Sequence, residues 1–154
     1  MDKAALVESL KALVKSQYAR ALSALAGATE AATGDDTKAE GKYDTRGLEA
    51  SYLAAGQAEQ ADELAQAVAQ LEAATFPDYD FDDPIGPGAL IEAERDGELV
   101  YYLLAPAGGG LTLESDEGEL VTVLGSEAPL RARLMEQSSG SILDDIDLTI
   151  LEVM

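Results

Sequence analysis

Four carboxylates in one short polar segment are the residues of this chain best suited to chemistry. They are Asp35, Asp36, Glu40 and Asp44. Paired carboxylates can help to hold Mg²⁺ or position an attacking water beside a metal. Three basic residues of the same segment nearly cancel their charge: Lys38, Lys42 and Arg46. We therefore expect no metal site of the chain's own here, but carboxylates that act beside a metal held by a partner. A plain hydrophilic turn between helices is the competing interpretation.

Other kinds of reactive site are excluded by composition. The chain has no Cys and no His, which rules out disulfides, thiol nucleophiles, imidazole bases and Cys/His zinc sites. Gly108-Gly109-Gly110 is not followed by Lys-Ser/Thr, so we interpret it as a flexible turn and not as a phosphate loop. The aspartates of residues 78–83 lie among prolines and lack a glutamate at the twelfth position of a calcium loop, which favours a solvated linker.

The charge is strongly negative and unevenly distributed. The net charge is -20, and residues 76–154 hold 18 of the 30 acidic residues but only 3 of the 10 basic ones. Such a field repels duplex DNA and anionic membranes, and it favours a protein partner with a basic surface. A salty habitat or simple solubility explains the acidity equally well. The first residues lack the pattern of a signal peptide and no apolar run reaches spanning length, so we expect a cytoplasmic protein.

Two long helices are predicted in residues 1–75. The first extends from Asp2 to about Ala32, where apolar residues recur at three- and four-residue steps. The second begins near Asp44 or Thr45 and ends near Ala74, with small residues in its middle that would let two helices approach closely. Joined by the acidic turn at about 34–46, they form an antiparallel helical hairpin about 45 Å long.

The rest of the chain has a different character. Residues 76–88 are rich in Pro, Gly and Asp and are predicted to be a linker, and residues 89–154 form a small α+β domain. Two predicted hairpins turn at Arg95-Asp96-Gly97 and Asp116-Glu117-Gly118. The predicted strands are Ala89–Glu94, Glu98–Leu104, Leu111–Glu114, Leu120–Leu124 and Ile146–Val153, with one short helix at Pro129–Met135.

This order of parts resembles the bacterial GreA/GreB family of transcript-cleavage factors, over nearly the whole chain. Residues 34–40, followed by Tyr43, are similar to the family's Gly-Asp-Leu-Ser-Glu-Asn-Ala-Glu-Tyr, and residues 43–52 resemble a shorter, divergent branch. Ala128-Pro129-Leu130-Arg131 stands where the family has Ser-Pro-Leu-Gly. Residues 134–141 stand where Leu-Leu-Gly-Lys-Lys-Val-Gly-Asp is usual, and residues 148–153 match the closing strand.

The resemblance implies a coiled-coil hairpin followed by an FKBP-like antiparallel β domain that docks on RNA polymerase. The docking residues would be Ser126, Ala128, Pro129 and Leu130. The hairpin would enter the secondary channel, where its tip promotes cleavage of backtracked RNA through an Mg²⁺ of the polymerase. The carried-over tip residues are Asp36 (or Asp35) and Glu40. It also implies that the chain is no free-standing enzyme, binds no cofactor alone and touches the RNA 3′ end only transiently.

Two other functions remain open. Asp36 and Glu40 are separated by one residue more than the family's Asp-x-x-Glu spacing, so a regulator that occupies the channel without cleavage is an alternative. An alternative of another class is a polymerase-independent, chaperone-like module that binds peptides through its β domain. Incubation with a backtracked elongation complex distinguishes the first two, and recovery of polymerase in a pulldown tests the third.

Overall fold

The computed structural model describes residues 1–33 and 46–154 of the chain. Two long helices come first, α1 (Lys3–Thr33) and α2 (Arg46–Ala73). Asp2 caps α1, because its Oδ1 atom accepts a 3.1 Å hydrogen bond from the amide of Ala5. Both helices lie within two residues of their predicted bounds. No helix in the described residues is both long and apolar enough to cross a membrane.

Residues Leu13–Ala69 form one compact unit, a helical hairpin. Side chains of both helices line one shared groove of about 470 Å³, with Gln17 and Ala24 on α1 and Gln57 and Leu64 on α2. The most buried residues of this part of α1 recur every seven positions and are Val14, Ala21 and Ala28. This period is that of a coiled-coil seam, and its small residues let the helices approach closely. The antiparallel hairpin predicted from the sequence is confirmed.

Not every residue of the predicted apolar stripe faces the seam. Leu22 is 43% exposed, although the sequence predicts it among the apolar residues that recur at three- and four-residue steps in the first helix. Ala61 of α2 is buried, as a close approach of the helices requires. Gly56 is exposed, and a Cβ atom built on it would meet nothing within 4 Å. The close approach therefore depends on the alanines and not on this glycine.

The second compact unit comprises Met1–Ala12 and Gln70–Met154 and contains a six-stranded sheet. Its strands are β1 (Leu90–Arg95), β2 (Glu98–Leu104), β3 (Thr112–Glu114), β4 (Leu120–Leu124), β5 (Ile142–Leu143) and β6 (Leu148–Val153). The strand order is β3-β4-β2-β1-β6-β5. All neighbours pair antiparallel except β2 and β4, which are parallel. The short helix α3 (Pro129–Leu134) follows β4.

Most predicted strands are present with small shifts. The turns at residues 95–97 and 116–118 join antiparallel pairs, and Asp96 and Gly97 both have positive φ, as a tight hairpin of this type requires. The two-residue strand β5 was not predicted, because so short a segment has no readable alternation. The last strand begins at Leu148 and not at Ile146, since a 3₁₀ turn occupies Asp144–Ile146.

One face of the sheet packs against α3. Its core side chains include Ile91, Ala93, Tyr102 and Ile150, and Leu134 of α3 is buried among them. The β1–β2 register pairs Ile91 with Tyr102 and so places both on this face. The helix therefore has a fixed position on the sheet.

The other face carries Leu90, Leu103 and Val121, all fully buried. The helix ends of the same unit supply four further buried side chains, which are Leu6, Val7, Leu10 and Leu71. Polar contacts tie these ends to the rest of the unit. The amide of Asp2 donates to Asp116 Oδ1 at 3.2 Å, and Lys3 Nζ donates to the main-chain oxygens of Pro77 and, at 3.0 Å, Met154.

Residues 76–88, predicted to be a linker, pack into this unit. Ile85 is 2% exposed, and its amide donates a 2.6 Å hydrogen bond to the carbonyl of Gln137. In return, the amide of Glu136 donates to the carbonyl of Ile85 at 3.0 Å. The hydroxyl of Tyr79 closes the segment on itself with a 2.8 Å bond to the carbonyl of Pro87. Residues 76–88 therefore form hydrogen bonds both within the segment and to residues 136 and 137.

Candidate docking site

The predicted docking residues lie where β4 passes into α3. Ser126 and Pro129 are exposed, whereas Ala128 and Leu130 are half-buried. Pro129 occupies the first turn of the helix, where its missing N–H leaves no bond unmade. Ala128 precedes it in an extended conformation and provides no side-chain cap. The structure thus brings the four predicted residues together on one short segment.

Burial of two leucines holds this segment in place. Leu134 is fully buried in the core, and Leu130 packs against the same core from one helical turn earlier. Ala128 and Met135 add partly buried contacts at the two ends of the helix. The apolar side of α3 is therefore fixed on the sheet, while Ser126 and Pro129 remain accessible to a partner.

Residues 126–130, which contain the predicted docking residues, are called the docking segment below. A groove of about 520 Å³ lies beside it. One wall is the turn after β2, with Pro106, Ala107, Gly109 and Gly110, and the other is Gly125–Ala128. The side chains around it are mostly small or apolar, so much of its lining is backbone.

The triglycine run that forms part of one wall is a turn, as the sequence predicts. The amide of Gly110 donates to the carbonyl of Val123 at 2.9 Å, and the amide of Leu111 to that of Gly108 at 3.2 Å. Gly108 and Gly110 have φ of 79° and 87°, which favours glycine. The run is a hydrogen-bonded turn attached to β4.

Arg131 directly follows the docking segment in the chain, at a position where the family motif has glycine. Its Nη1 atom donates a 2.7 Å hydrogen bond to the carbonyl of Ala105 and a 3.3 Å one to that of Leu124. Sequence reasoning noted this residue only as a departure from the family motif. Nothing in the local sequence signals that the guanidinium reaches two strand ends.

A second arginine of α3 makes a solvent-exposed ion pair. Arg133 donates two hydrogen bonds to the carboxylate of Asp145, at 2.7 and 2.8 Å. The hydrogen bond from Arg133 lowers the pKa of Asp145 from its ordinary value of 3.8, and the same bond raises the pKa of Arg133. The pair links the end of α3 to the turn before β6.

Two residues after α3 occupy positions that suit other amino acids. Glu136 has a φ of 67°, in the left-handed region that glycine adopts easily. The hydroxyl of Ser139 is buried and makes no hydrogen bond within the described residues. In the segment that residues 134–141 resemble, glycine and valine stand at these two places. The positive φ at position 136 suits the motif's glycine, and the buried side chain at position 139 suits its valine. This chain has Glu136 and Ser139 at these positions instead.

The predicted tip residues Asp35, Asp36, Glu40 and Asp44 lie outside the described residues. Nothing in the structure therefore bears on their geometry. Within residues 1–33 and 46–154, no group of three or more Asp or Glu side chains is arranged to hold a metal ion.

Comparisons with known proteins give limited matches. No protein-family model matches the chain, and no curated protein matches it. A solved structure of the GreA factor homolog 1 (Gfh1) protein of Thermus thermophilus is 17% identical, over 94% of each chain, with a TM-score of 0.37. A solved structure of the transcription factor Gfh1 is 16% identical, over 93% of this chain and 92% of that one, with the same TM-score of 0.37. The chain is similar to both along nearly its whole length.

Proposed function

We propose that this chain is a bacterial transcription elongation factor that binds RNA polymerase and promotes cleavage of backtracked RNA. The observation that carries the proposal is the order of elements. A helical hairpin with an acidic segment between its helices precedes a β domain that presents Pro129 and Leu130 at the start of a short helix. The motif resemblance assigns the two ends of this arrangement to the two tasks, docking and cleavage.

In this proposal the hairpin is the arm that enters the polymerase's secondary channel. The part of α1 that belongs to the hairpin unit, residues 13–33, spans about 32 Å at 1.5 Å per residue. An alanine seam keeps the arm narrow, because small side chains let the two helices lie close together. A narrow rod suits a channel better than a flat surface.

The tip carboxylates act on a metal that the polymerase holds. Asp36 (or Asp35) and Glu40 would help to bind an Mg²⁺ beside the RNA 3′ end, and Asp44 would add negative charge. Mg²⁺ typically takes one or two carboxylates and fills its other positions with water or phosphate oxygens. When bound there, such a metal would supply an activated water for attack on the phosphodiester bond. The chain itself would then need no cofactor and would not be an enzyme when alone.

The β domain supplies the docking surface. Residues 76–154 hold 18 of the chain's 30 acidic residues, so long-range attraction favours a basic surface of the polymerase. The same charge disfavours direct binding of duplex DNA and of anionic membranes. We place the protein in the cytoplasm, where bacterial transcription occurs.

Cleavage by a defined backtracked elongation complex tests the proposal. Addition of the protein should release short 3′ RNA fragments at a rate above that of polymerase alone. Asp36→Ala and Glu40→Ala should abolish the stimulation, whereas Asp62→Ala, an exposed carboxylate of α2, should leave it intact. Stimulation that survives both tip substitutions would contradict the assigned role of the tip.

A channel-binding regulator without cleavage is the second candidate. Lys38, Lys42 and Arg46 offset the tip carboxylates, and the Asp36–Glu40 spacing exceeds the family's by one residue. Slower elongation or protection from another cleavage factor, without fragment release, would support this function. A protein that recovers no polymerase in a pulldown would fit neither candidate and would favour the peptide-binding, chaperone-like module.

Docking has its own test. Ser126→Tyr adds bulk at the edge of the groove and should weaken polymerase binding on the order of tenfold. Glu98→Tyr adds bulk at an exposed position at the opposite end of β2 from the groove and should not. Equal affinity of the two variants would remove Ser126 from the docking surface.

A further inference from the structure

Arg131 adds side-chain hydrogen bonds where two neighbouring strands end. Strands β2 and β4 run parallel and end together, with Leu104 beside Leu124. Beyond this point the amide of Ala105 donates to the carbonyl of Leu124 at 3.1 Å. The Nη1 atom of Arg131 adds 2.7 and 3.3 Å bonds to the carbonyls of Ala105 and Leu124. The guanidinium therefore lies across the place where both strands stop.

Each wall of the groove begins directly after one of these two strand ends. Ala105 directly precedes Pro106, the first residue of one wall, and Leu124 directly precedes Gly125, which begins the other. Arg131 itself belongs to α3, whose start is the docking segment. One side chain thus joins three parts of the surface: both walls of the groove and the helix beside it.

We propose that Arg131 is a positioning residue that fixes the docking segment and the groove walls in the arrangement that binds the partner. The inference rests on the proposed function, because the partner is RNA polymerase. Arg131 does not line the groove, so it acts through the backbone that it holds. The motif that this segment resembles has glycine at this position, so the resemblance does not assign this role to Arg131.

The chemistry of the guanidinium suits the task. Its charge strengthens hydrogen bonds to carbonyls, and its planar fork presents several donors in fixed directions. Ala105 is fully buried, so its carbonyl would be poorly compensated by water if the donor were lost. A lysine offers a single charged nitrogen on a flexible stem and would hold the two carbonyls less well.

The consequence for binding follows from populations. If the hydrogen bonds from Arg131 to the two carbonyls are lost, a smaller fraction of the free protein has the docking segment in its binding arrangement. The apparent dissociation constant rises in inverse proportion to that fraction, although no contact with the partner has changed. A positioning role therefore predicts that weaker binding accompanies a looser segment in the unbound protein.

The experiment compares Arg131→Met, Arg131→Lys and Arg131→Gln with the unaltered full-length protein. Arg133→Met is the matched control, because it removes the same charge from the same helix while its own partner is the exposed Asp145. Two readouts are taken for every variant. One is amide hydrogen exchange of the non-proline residues in 107–110 and 125–131 in the free protein, and the other is affinity for polymerase.

We expect Arg131→Met to speed exchange in both segments and to weaken polymerase binding on the order of tenfold, the factor for one charge-assisted hydrogen bond. Arg131→Lys should fall between Arg131→Met and the unaltered protein in both readouts, and Arg133→Met should match the unaltered protein. Should Arg131→Met fail to fold, Arg131→Lys and Arg131→Gln give the same comparison.

Two results would overturn the inference while the proposed function stands. Weaker binding with unchanged exchange would mean that Arg131 touches the polymerase directly. Faster exchange with unchanged affinity would mean that the hydrogen bonds of Arg131 stabilise the fold but do not affect polymerase binding. If the unaltered protein does not bind polymerase at all, the proposed function fails first and the inference fails with it.

Discussion

The backbones of Gly109 and Gly125 lie in contact, so that a Cβ atom built on Gly109 would be 2.9 Å from the amide nitrogen of Gly125. Real Cβ atoms do not approach backbone so closely, so the backbone would have to shift to accommodate one. The triglycine turn and the end of β4 are thus matched surfaces. Both glycines line the groove beside the docking segment.

Gly109→Ala should destabilise the β domain by about 1–3 kcal/mol, because the methyl group forces backbone apart in a packed region. Urea denaturation followed by fluorescence of the tyrosines measures the change. Substitution at Gly56 serves as the contrast, since the space around it is open. An unchanged denaturation midpoint for Gly109→Ala would mean that the contact with Gly125 yields easily.

Gly27→Ala and Gly56→Ala should each stabilise the hairpin by about 0.5–1 kcal/mol. Both glycines lie inside helices, and a Cβ atom on either would meet nothing within 4 Å. Alanine lowers the backbone entropy that the helix must lose on folding. Helical circular dichroism during thermal unfolding measures the effect. A lower unfolding midpoint for either variant would show that the added methyl group clashes with a neighbouring residue.

Glu136→Gly should stabilise the protein by about 1 kcal/mol, since it removes the strain of a left-handed conformation from a residue with a side chain. Asn, which tolerates this conformation, should give part of the gain. Glu127→Gly is the control: Glu127 is exposed and has no positive φ, so glycine there should be neutral or destabilising. Thermal unfolding of the three variants checks the order.

Ser139→Val should also stabilise, by about 1–2 kcal/mol, because it replaces a buried hydroxyl that has no partner in the described residues. For a chain of this size each kcal/mol raises the melting temperature by about 2–4 °C. The exposed Ser126 provides the control, and Ser126→Val should leave the melting temperature nearly unchanged. A destabilised Ser139→Val would point to a bridging water that binds the hydroxyl.

The pKa of Asp145 should lie below 3.8 in the folded protein, chiefly because Arg133 hydrogen-bonds to its carboxylate. A depressed carboxyl pKa contributes stability above the ordinary value, and this stability is lost as the pH falls through the lower, folded value. Carboxyl titration by NMR measures it. Arg133→Met should raise the pKa of Asp145 toward its ordinary value, whereas Arg20→Met, which removes an equal charge from the hairpin, should not.

The helices and most of the strands were readable from the sequence, because each depends on short-range periodicity. Apolar steps of three and four indicated α1 and α2, and β2 and β4 have the predicted bounds Glu98–Leu104 and Leu120–Leu124. The strand β5 was not readable, since two residues carry no alternation. The motif around Pro129 and Leu130 predicted a candidate docking segment, whereas the groove beside that segment was not predicted from the sequence.

The sequence by itself determined a helical hairpin, a small α+β domain and two candidate functional segments. Only the tertiary structure decided what Arg131, Gly109 and Glu136 do. Each depends on a residue or conformation far from it in sequence or invisible in composition: the carbonyl of Ala105, the backbone of Gly125 and a positive φ. Local patterns encode which elements form, because they reflect burial along one element. Contacts between elements have no such pattern, since they depend on how the sheet brings distant strand ends together.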